Sequence, residues 1–186
     1  MKDYILYYDS GTSNTRAYLL NRDFQVKYTV KKAVGSKDSA IAGSNRVLIE
    51  GMKELYDDVL SANALEEGDI DAIYASGMIT SPYGLKEVPH LALPLTVGGL
   101  AAGLVPFFES TCFHREIVLV PGLKTVSSDF TFVNNMRGEE IEIVGALDEL
   151  QAAGAPRDLA MILPGSHTHV TCLLGEQITG IISNFT

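Results

Sequence analysis

Apolar and polar positions alternate through the first thirty residues, and the alternation predicts three strands. Ile5-Leu6-Tyr7-Tyr8 runs into Asp9, and Ser10-Gly11-Thr12-Ser13-Asn14 has the composition of a turn. Thr15–Leu20 alternates, Asn21-Arg22-Asp23 turns again, and Phe24–Val30 alternates with period two. The three form an antiparallel meander. The period then changes. Leu48, Met52, Leu55, Tyr56 and Val59 recur at helical spacing behind Asn45, a residue suited to capping a helix. A strand at Ile70–Ala75, a turn-rich loop at Ser76–His90 and a strand at Glu116–Val120 follow, the last stopped by Pro121-Gly122. Gly138 opens a second helix with Ile143, Val144, Leu147 and Leu150 as its buried stripe. A meander followed by alternating helices and strands predicts an α/β fold, a mixed sheet flanked by helices.

The opening pattern returns near the end. Leu159–Leu163 is an apolar strand, Pro164-Gly165-Ser166-His167-Thr168-His169 a turn, Val170–Leu174 a strand, Gly175-Glu176-Gln177 a turn, and Ile178–Phe185 a third strand. Hairpins are common, but both copies carry a first turn rich in glycine and hydroxyls. Only the first copy is followed by helices. The expected division is therefore a first lobe over residues 1–150 and the opening strands of a second, incomplete lobe over 157–186.

Charge and composition narrow the function classes. Lysine and arginine number 14 against 23 acidic residues, a net charge of −9, which argues against a nucleic-acid binder. Apolar residues make up 46% and charged residues 20%, as in folded soluble domains. Cys112 and Cys172 have no CxxC spacing, so neither a disulfide framework nor a thiolate zinc site is expected. No basic stretch leads into an apolar run at Met1-Lys2-Asp3-Tyr4, and the expectation is a cytoplasmic protein. Residues 91–108 carry no charge and match a bilayer in length, but Pro94, Pro106, Gly98, Gly99 and Gly103 interrupt them. A buried loop with a short helix is expected there, a subunit interface being second choice, and no membrane span.

A turn of Gly, Ser and Thr lets successive backbone N–H groups face one anion. Asp9 beside Gly11, Thr12, Ser13 and Asn14 makes sense if Mg²⁺ lies between the carboxylate and phosphate oxygens. Asp-Ser-Gly also makes ordinary turns, and the duplication favours the phosphate reading. The Ser76–Gly84 loop follows a buried strand, and strand C-terminal ends are where open α/β sheets gather ligands. Ser76, Thr80, Ser81 and Lys86 are candidate contacts for a hydroxylated acid, and a solvated loop is an equal alternative. His167 and His169 form an H-x-H, read as turn histidines because further metal ligands are lacking.

Asp9–Arg16 resembles the first phosphate motif of sugar kinases in the actin/hexokinase/Hsp70 superfamily. Together with Ser76–Gly84, Met136–Glu140 with Gly145-Ala146, and Leu163–His167, the chain is similar throughout to 2-dehydro-3-deoxygalactonokinases. The resemblance implies a ribonuclease-H-like, actin-like lobe and ATP-dependent phosphorylation of 2-dehydro-3-deoxy-galactonate at its terminal hydroxyl. ATP and Mg²⁺ are then the cofactors. Asp9 would position Mg²⁺, Gly11–Asn14 would hold phosphate, and Gly165, Ser166 and His167 would form the second phosphate turn. The chain departs from the family at Ser10, where tryptophan is usual, at His169, where lysine is usual, and at His90, often tyrosine. Family members also continue further, so the chain reads as an N-terminal portion.

Phosphoryl transfer to an alcohol needs a carboxylate to accept the hydroxyl proton and positive charge near the transferred group. By analogy with related kinases the base is Glu139, with Arg137 beside it, and Asp129 is the runner-up. Acidic residues also decorate helix N-termini for dipole reasons alone. Three functions compete. They are a sugar-acid kinase, a fragment that binds substrate without turnover, and an actin-like scaffold that pairs through the 91–108 run or the exposed strands of the second lobe. The Ser76–Gly84 and Met136–Glu140 blocks favour the kinase lineage, and little activity is expected of these residues alone.

Overall fold

The structure is a computed structural model that describes residues 3–129, 133–165 and 167–185. The chain gathers into two compact units, Met1–Val88 with Val105–Val120, and Pro89–Leu104 with Pro121–Thr186. The boundary expected at 150/157 falls inside the second unit. The reason is local. The two-residue strand Leu95–Thr96 pairs with the chain's last strand, which ties the 89–104 segment to the C-terminal strands.

In the first unit the meander is β1 (Tyr4–Ser10), β2 (Thr15–Asn21) and β3 (Val26–Lys32). β4 (Ile70–Gly77) runs parallel to β1, β8 (Arg115–Leu119) runs parallel to β4, and β7 (Val105–Glu109) closes the sheet antiparallel to β8. The order is β3-β2-β1-β4-β8-β7, a mixed sheet as the alternation implies. Both edges are guarded. β3 carries Lys27, Lys31 and Lys32, and β7 carries Pro106, which an edge strand tolerates. Helix α2 (Arg46–Ala62) buries Leu48, Met52, Leu55, Tyr56 and Val59 with Leu6, Tyr8, Leu19, Ile73 and Ile117 in one apolar core. Each such side chain contributes roughly 1.5–3 kcal/mol by leaving water.

Three local expectations change. Asn45 sits at the N-cap of α2, but its amide nitrogen donates to Leu85 O at 3.1 Å instead of capping. Helix α1 (Ser36–Ala42) has no apolar stripe to announce it. The charge-free run is not a single buried loop. It holds β5 (Leu91–Ala92), β6 (Leu95–Thr96), α3 (Val97–Ala102) and most of β7, where Phe108 is exposed. No helix among the described residues is long and apolar enough to cross a membrane.

The β7–β8 connection turns on one carboxylate. Glu109 accepts hydrogen bonds from the backbone N–H groups of Thr111 (2.8 Å), Cys112 (2.7 Å) and Phe113 (2.8 Å), and from the Thr111 hydroxyl. Burial by itself would raise its pKa. The donors led by the Phe113 amide outweigh it and bring the group down to about 2. Because the folded value lies below the unfolded one, the contribution to stability is present above about pH 4.5 and lost as pH falls towards about 2. Glu109→Ala should cost about 1–3 kcal/mol at neutral pH. The deficit should shrink across that acid window in chemical denaturation, and a pH-independent deficit would contradict the assignment.

The second unit holds two sheets. β9 (Leu123–Lys124) lies between β5 and β10 (Asn135–Met136). β11 (Leu159–Leu163), β12 (His167–Leu174) and β13 (Gln177–Phe185) repeat the antiparallel meander, with β6 on the far side of β13. The turn between β11 and β12 is shorter than expected, so His167 and His169 lie on a strand. Ile162, Leu174 and Ile182 remain exposed on this sheet. Helix α4 (Glu139–Ala152) begins at Gly138 and buries Ile143 and Leu147, with Val144 and Leu150 only half-buried and Glu140 fully buried in addition.

Candidate active site

In the first unit the β1–β2 turn is held by its neighbours. Ser10 and Thr15 face each other across the strands with their hydroxyls 3.0 Å apart, and the Thr15 hydroxyl donates to Val34 O at 2.8 Å. Gly11 N donates to Asn14 O at 2.8 Å and closes the turn. Residue 35 packs directly on it. A Cβ there would lie 2.5 Å from Gly11 O and collide with Thr12 O, so only glycine fits. The N–H groups that open α1 then occupy the turn's carbonyls, Ser36 N to Gly11 O at 3.3 Å and Lys37 N to Thr12 O at 2.9 Å. The amides of Thr12, Ser13 and Asn14 have no partner among the described residues, and Thr12 and Ser13 are exposed. Rigidly held carbonyls and open amides are what a backbone anion cradle requires.

Asp9 is the penultimate residue of β1, opposite Arg16, whose guanidinium donates to its Oδ2 at 2.9 Å; the two side chains are 35% and 45% exposed respectively. One carboxylate oxygen is therefore engaged and the other is left for a ligand. Among the described residues no group of three or more His, Cys, Asp or Glu side chains can hold a metal by itself. The donor set fits Mg²⁺ shared with phosphate oxygens and water, the usual manner for that ion.

The loop after β4 is built differently from its sequence promise. The Ser76 hydroxyl is 2.6 Å from Tyr7 Oη, Thr80 Oγ1 donates to Gly77 O at 3.0 Å, and Ser81 Oγ donates to Met78 O at 2.7 Å. All three residues are buried, so their hydroxyls shape the loop and are poorly placed for a ligand. Lys86 lines a pocket of about 390 Å³ with Ser39, Asn45, Tyr83 and Glu87, its ammonium 5.3 Å from the Phe107 ring centre. The buried Ser39 hydroxyl on that wall has no hydrogen-bond partner among the described residues. That Ser39, Asn45 and Tyr83 share one pocket wall is not visible in the sequence, because they converge from separate elements.

In the second unit α4 starts abruptly. Gly138 has φ +118°, a value that favours glycine. The two glutamates that follow fold back on the entering chain. Arg137 N donates to Glu139 Oε2 at 3.0 Å, and Gly138 N donates to Glu140 Oε2 at 2.7 Å. Glu139 stays partly open and its Oε1 lies 3.7 Å from His169 Nε2. His169 Nδ1 is 2.9 Å from Ser183 Oγ, and the residue is 6% exposed. Arg137 donates from Nη2 to His90 Nδ1 at 3.2 Å. Burial, with the positive charges of Arg137 and Lys124, brings His90 down to about 4, so it is neutral at physiological pH and able to accept. The structure thus groups Arg137, Glu139, His90 and His169, the last two being among the three positions at which the chain departs from the pattern of the family it resembles. Asp129 lies exposed, its amide donating to Ser127 Oγ at 3.1 Å. Gly165 and His167 flank the β11–β12 turn, both exposed, and Ser166 lies outside the described residues.

Glu140 is the opposite of Glu139 in environment. It is fully buried, its Oε1 has no partner among the described residues, and burial pushes its pKa up to about 8. The folded value exceeds the unfolded one, so the unfolded state releases its proton first and stability falls between about pH 4.5 and about 8. Glu140→Gln removes that titration. The stability difference between the two proteins should change by up to about 5 kcal/mol in favour of the glutamine as pH rises across this window. Parallel stability curves in chemical denaturation would refute it.

The mixed α/β fold has solved counterparts. A Sinorhizobium meliloti protein assigned as a 2-dehydro-3-deoxygalactonokinase matches with a TM-score of 0.74 at 22% identity, over 97% of this chain and 53% of that one. A reductive activator for a corrinoid, iron–sulfur protein matches with a TM-score of 0.56 at 12% identity, over 98% of this chain and 30% of that one. At such identities the likeness shows the fold, and the chain spans about half the length of the first of them. A search of curated proteins finds no match. The family model of 2-keto-3-deoxy-galactonokinases matches residues 9–186, nearly the whole sequence, and the chain belongs to that family of sugar kinases.

Proposed function

We propose that the protein serves ATP-dependent phosphorylation of 2-dehydro-3-deoxy-galactonate at its terminal hydroxyl. The observation that carries this reading is the β1–β2 turn of a sugar-kinase family member, with three open amides beside a half-engaged carboxylate. In this reading the amides of Thr12, Ser13 and Asn14 hold phosphate oxygens, and Gly11 supplies the closed turn. Asp9 holds Mg²⁺, which when bound neutralises charge on the phosphates. Gly165, Ser166 and His167 form a second phosphate turn. Lys86 faces the sugar acid's carboxylate in the 390 Å³ pocket, with Ser39 as a hydroxyl partner. Glu139 takes the proton of the attacking hydroxyl as that oxygen bonds to phosphorus and the phosphate bond to the departing ADP breaks. Arg137 supplies positive charge at the same helix start. Such a metabolic enzyme works where ATP is made available, in the cytoplasm.

A second reading, binding without turnover by this chain, is favoured by its covering 53% of the Sinorhizobium meliloti protein. One experiment separates the two. The chain is mixed with ATP, Mg²⁺ and the sugar acid, ADP release is followed, and sugar-acid binding is measured by calorimetry. ADP release that requires the sugar acid and yields its terminal phosphate ester supports the kinase. Binding without ADP release supports the second reading, and absence of both removes the substrate assignment.

A further inference from the structure

We propose that His169 is a positioning residue for Glu139, its imidazole locked by Ser183 and presenting a ring N–H to the carboxylate. This rests on the reading of Glu139 as the base. Three elements build the arrangement. Glu139 is the first residue of α4, His169 is an inward-facing residue of β12, and Ser183 lies opposite His169 on β13. The register of β12 and β13 alone brings His169 Nδ1 to 2.9 Å from Ser183 Oγ. Ser183 is itself anchored, its amide donating to Asn134 Oδ1 at 3.0 Å and its hydroxyl lying 3.4 Å from Asn135 O.

The proton positions follow from what faces each ring nitrogen. Nε2 looks at Glu139 Oε1 from 3.7 Å. A bare Nε2 lone pair there would oppose a carboxylate at close range inside the protein, where such repulsion is weakly screened. Two states avoid this. In one, the Ser183 hydroxyl donates to Nδ1 and the neutral ring carries its proton on Nε2. In the other, both nitrogens are protonated and the Ser183 hydroxyl turns to Asn135 O. Both states place N–H on Nε2. Arg137 N holds Oε2 by a hydrogen bond, and His169 Nε2 faces Oε1 at ion-pair distance, so the Glu139 carboxylate is constrained on one oxygen and attracted on the other. A base with a fixed orientation does not need to search for its geometry at each turnover. His169 touches no reacting atom in this scheme and acts through Glu139.

Two measurements test it. The first is ¹⁵N–¹H correlation of histidine rings in the chain itself, which reports which nitrogens carry protons. The expected pattern for His169 has a protonated Nε2. A bare Nε2 with the proton only on Nδ1 overturns the proposal. The second is steady-state kinetics of the active polypeptide, this chain alone or within a protein of its relatives' length. His169→Phe should lower kcat about 10- to 100-fold with the sugar-acid KM little changed. His169→Gln, which keeps an N–H donor, should recover most of that loss. In the Glu139→Gln background, His169→Phe should change kcat by less than about twofold, because the group it orients is gone. Equal losses in His169→Phe and His169→Gln, or additive losses with Glu139→Gln, would reduce His169 to a packing role. If Glu139→Gln turns over normally, the base reading fails and this proposal falls with it. If Glu139→Gln is crippled and His169→Phe is not, only the positioning role fails.

Discussion

Glu139→Gln is expected to lower turnover about 10²- to 10⁴-fold in the active polypeptide while sugar-acid affinity stays within a few-fold. The amide retains the shape of the side chain and one oxygen that can accept the Arg137 N–H now bound at 3.0 Å. The start of α4 should therefore survive, and its other anchor, Gly138 N on Glu140 Oε2, is untouched. What glutamine cannot do is take a proton from the attacking hydroxyl. Asp129→Asn is the control, since that residue is exposed on a loop. Steady-state kinetics at saturating ATP, with sugar-acid affinity measured separately by calorimetry, distinguish the cases. A crippled Asp129→Asn beside a normal Glu139→Gln would reverse the assignment, and two normal variants would leave the base elsewhere.

Asp9→Ala should lose about 10²- to 10³-fold in turnover, the scale on which removal of a preorganised electrostatic contact to a reacting group acts. Its effect on folding should be small. The Asp9–Arg16 pair is cross-strand and largely solvated, and such pairs contribute about 0–1 kcal/mol. The turn behind it is held by Gly11, Ser10, Thr15 and the α1 amides, none of which needs the carboxylate. A structural role and a phosphate-site role therefore predict different things. The first gives a small loss of stability and normal kinetics, the second near-normal stability with lost turnover and a raised Mg²⁺ requirement. Thermal denaturation alongside a Mg²⁺ titration of the rate decides, and wild-type turnover at ordinary Mg²⁺ would remove the phosphate-site reading.

Much of the frame was legible before any coordinates. Period-two alternation placed the first meander, and the 3.6-residue stripe from Leu48 to Val59 placed α2, because burial on one face imposes those periods. The second meander was legible for the same reason. So was the glycine and hydroxyl composition of the two turns, which pointed to a phosphate cradle at Gly11–Asn14, while the resemblance of four ordered blocks pointed to the sugar-kinase family. Elements without a periodic apolar face stayed hidden. Helix α1 has no buried apolar stripe, its one large apolar side chain, Ile41, being exposed, and Gly35 lets its N–H groups meet the carbonyls of Gly11 and Thr12. β7 was concealed inside a charge-free run whose composition carried no alternation.

The chemistry divides along the same line. Residue types and their order determined that this is an acidic α/β protein of a sugar-kinase family, with Asp9 at a strand end and a pair of glutamates at a helix start. Only the tertiary structure decided what each polar group is bound to. It turned Ser76, Thr80 and Ser81 from candidate ligands into internal hydrogen-bond partners, and it separated Glu139, half-open against His169, from Glu140, buried one residue away. It also moved His169 from a turn to the inside of a strand, between Ser183 and Glu139. The physical reason is that apolar periodicity is a local property of the chain, read within a few turns or a few residues of strand. A hydrogen bond between residues 14 positions apart, or an ion-pair contact between residues 30 apart, depends on strand register and on where a helix lands, and burial then sets the cost of leaving either partner without the other.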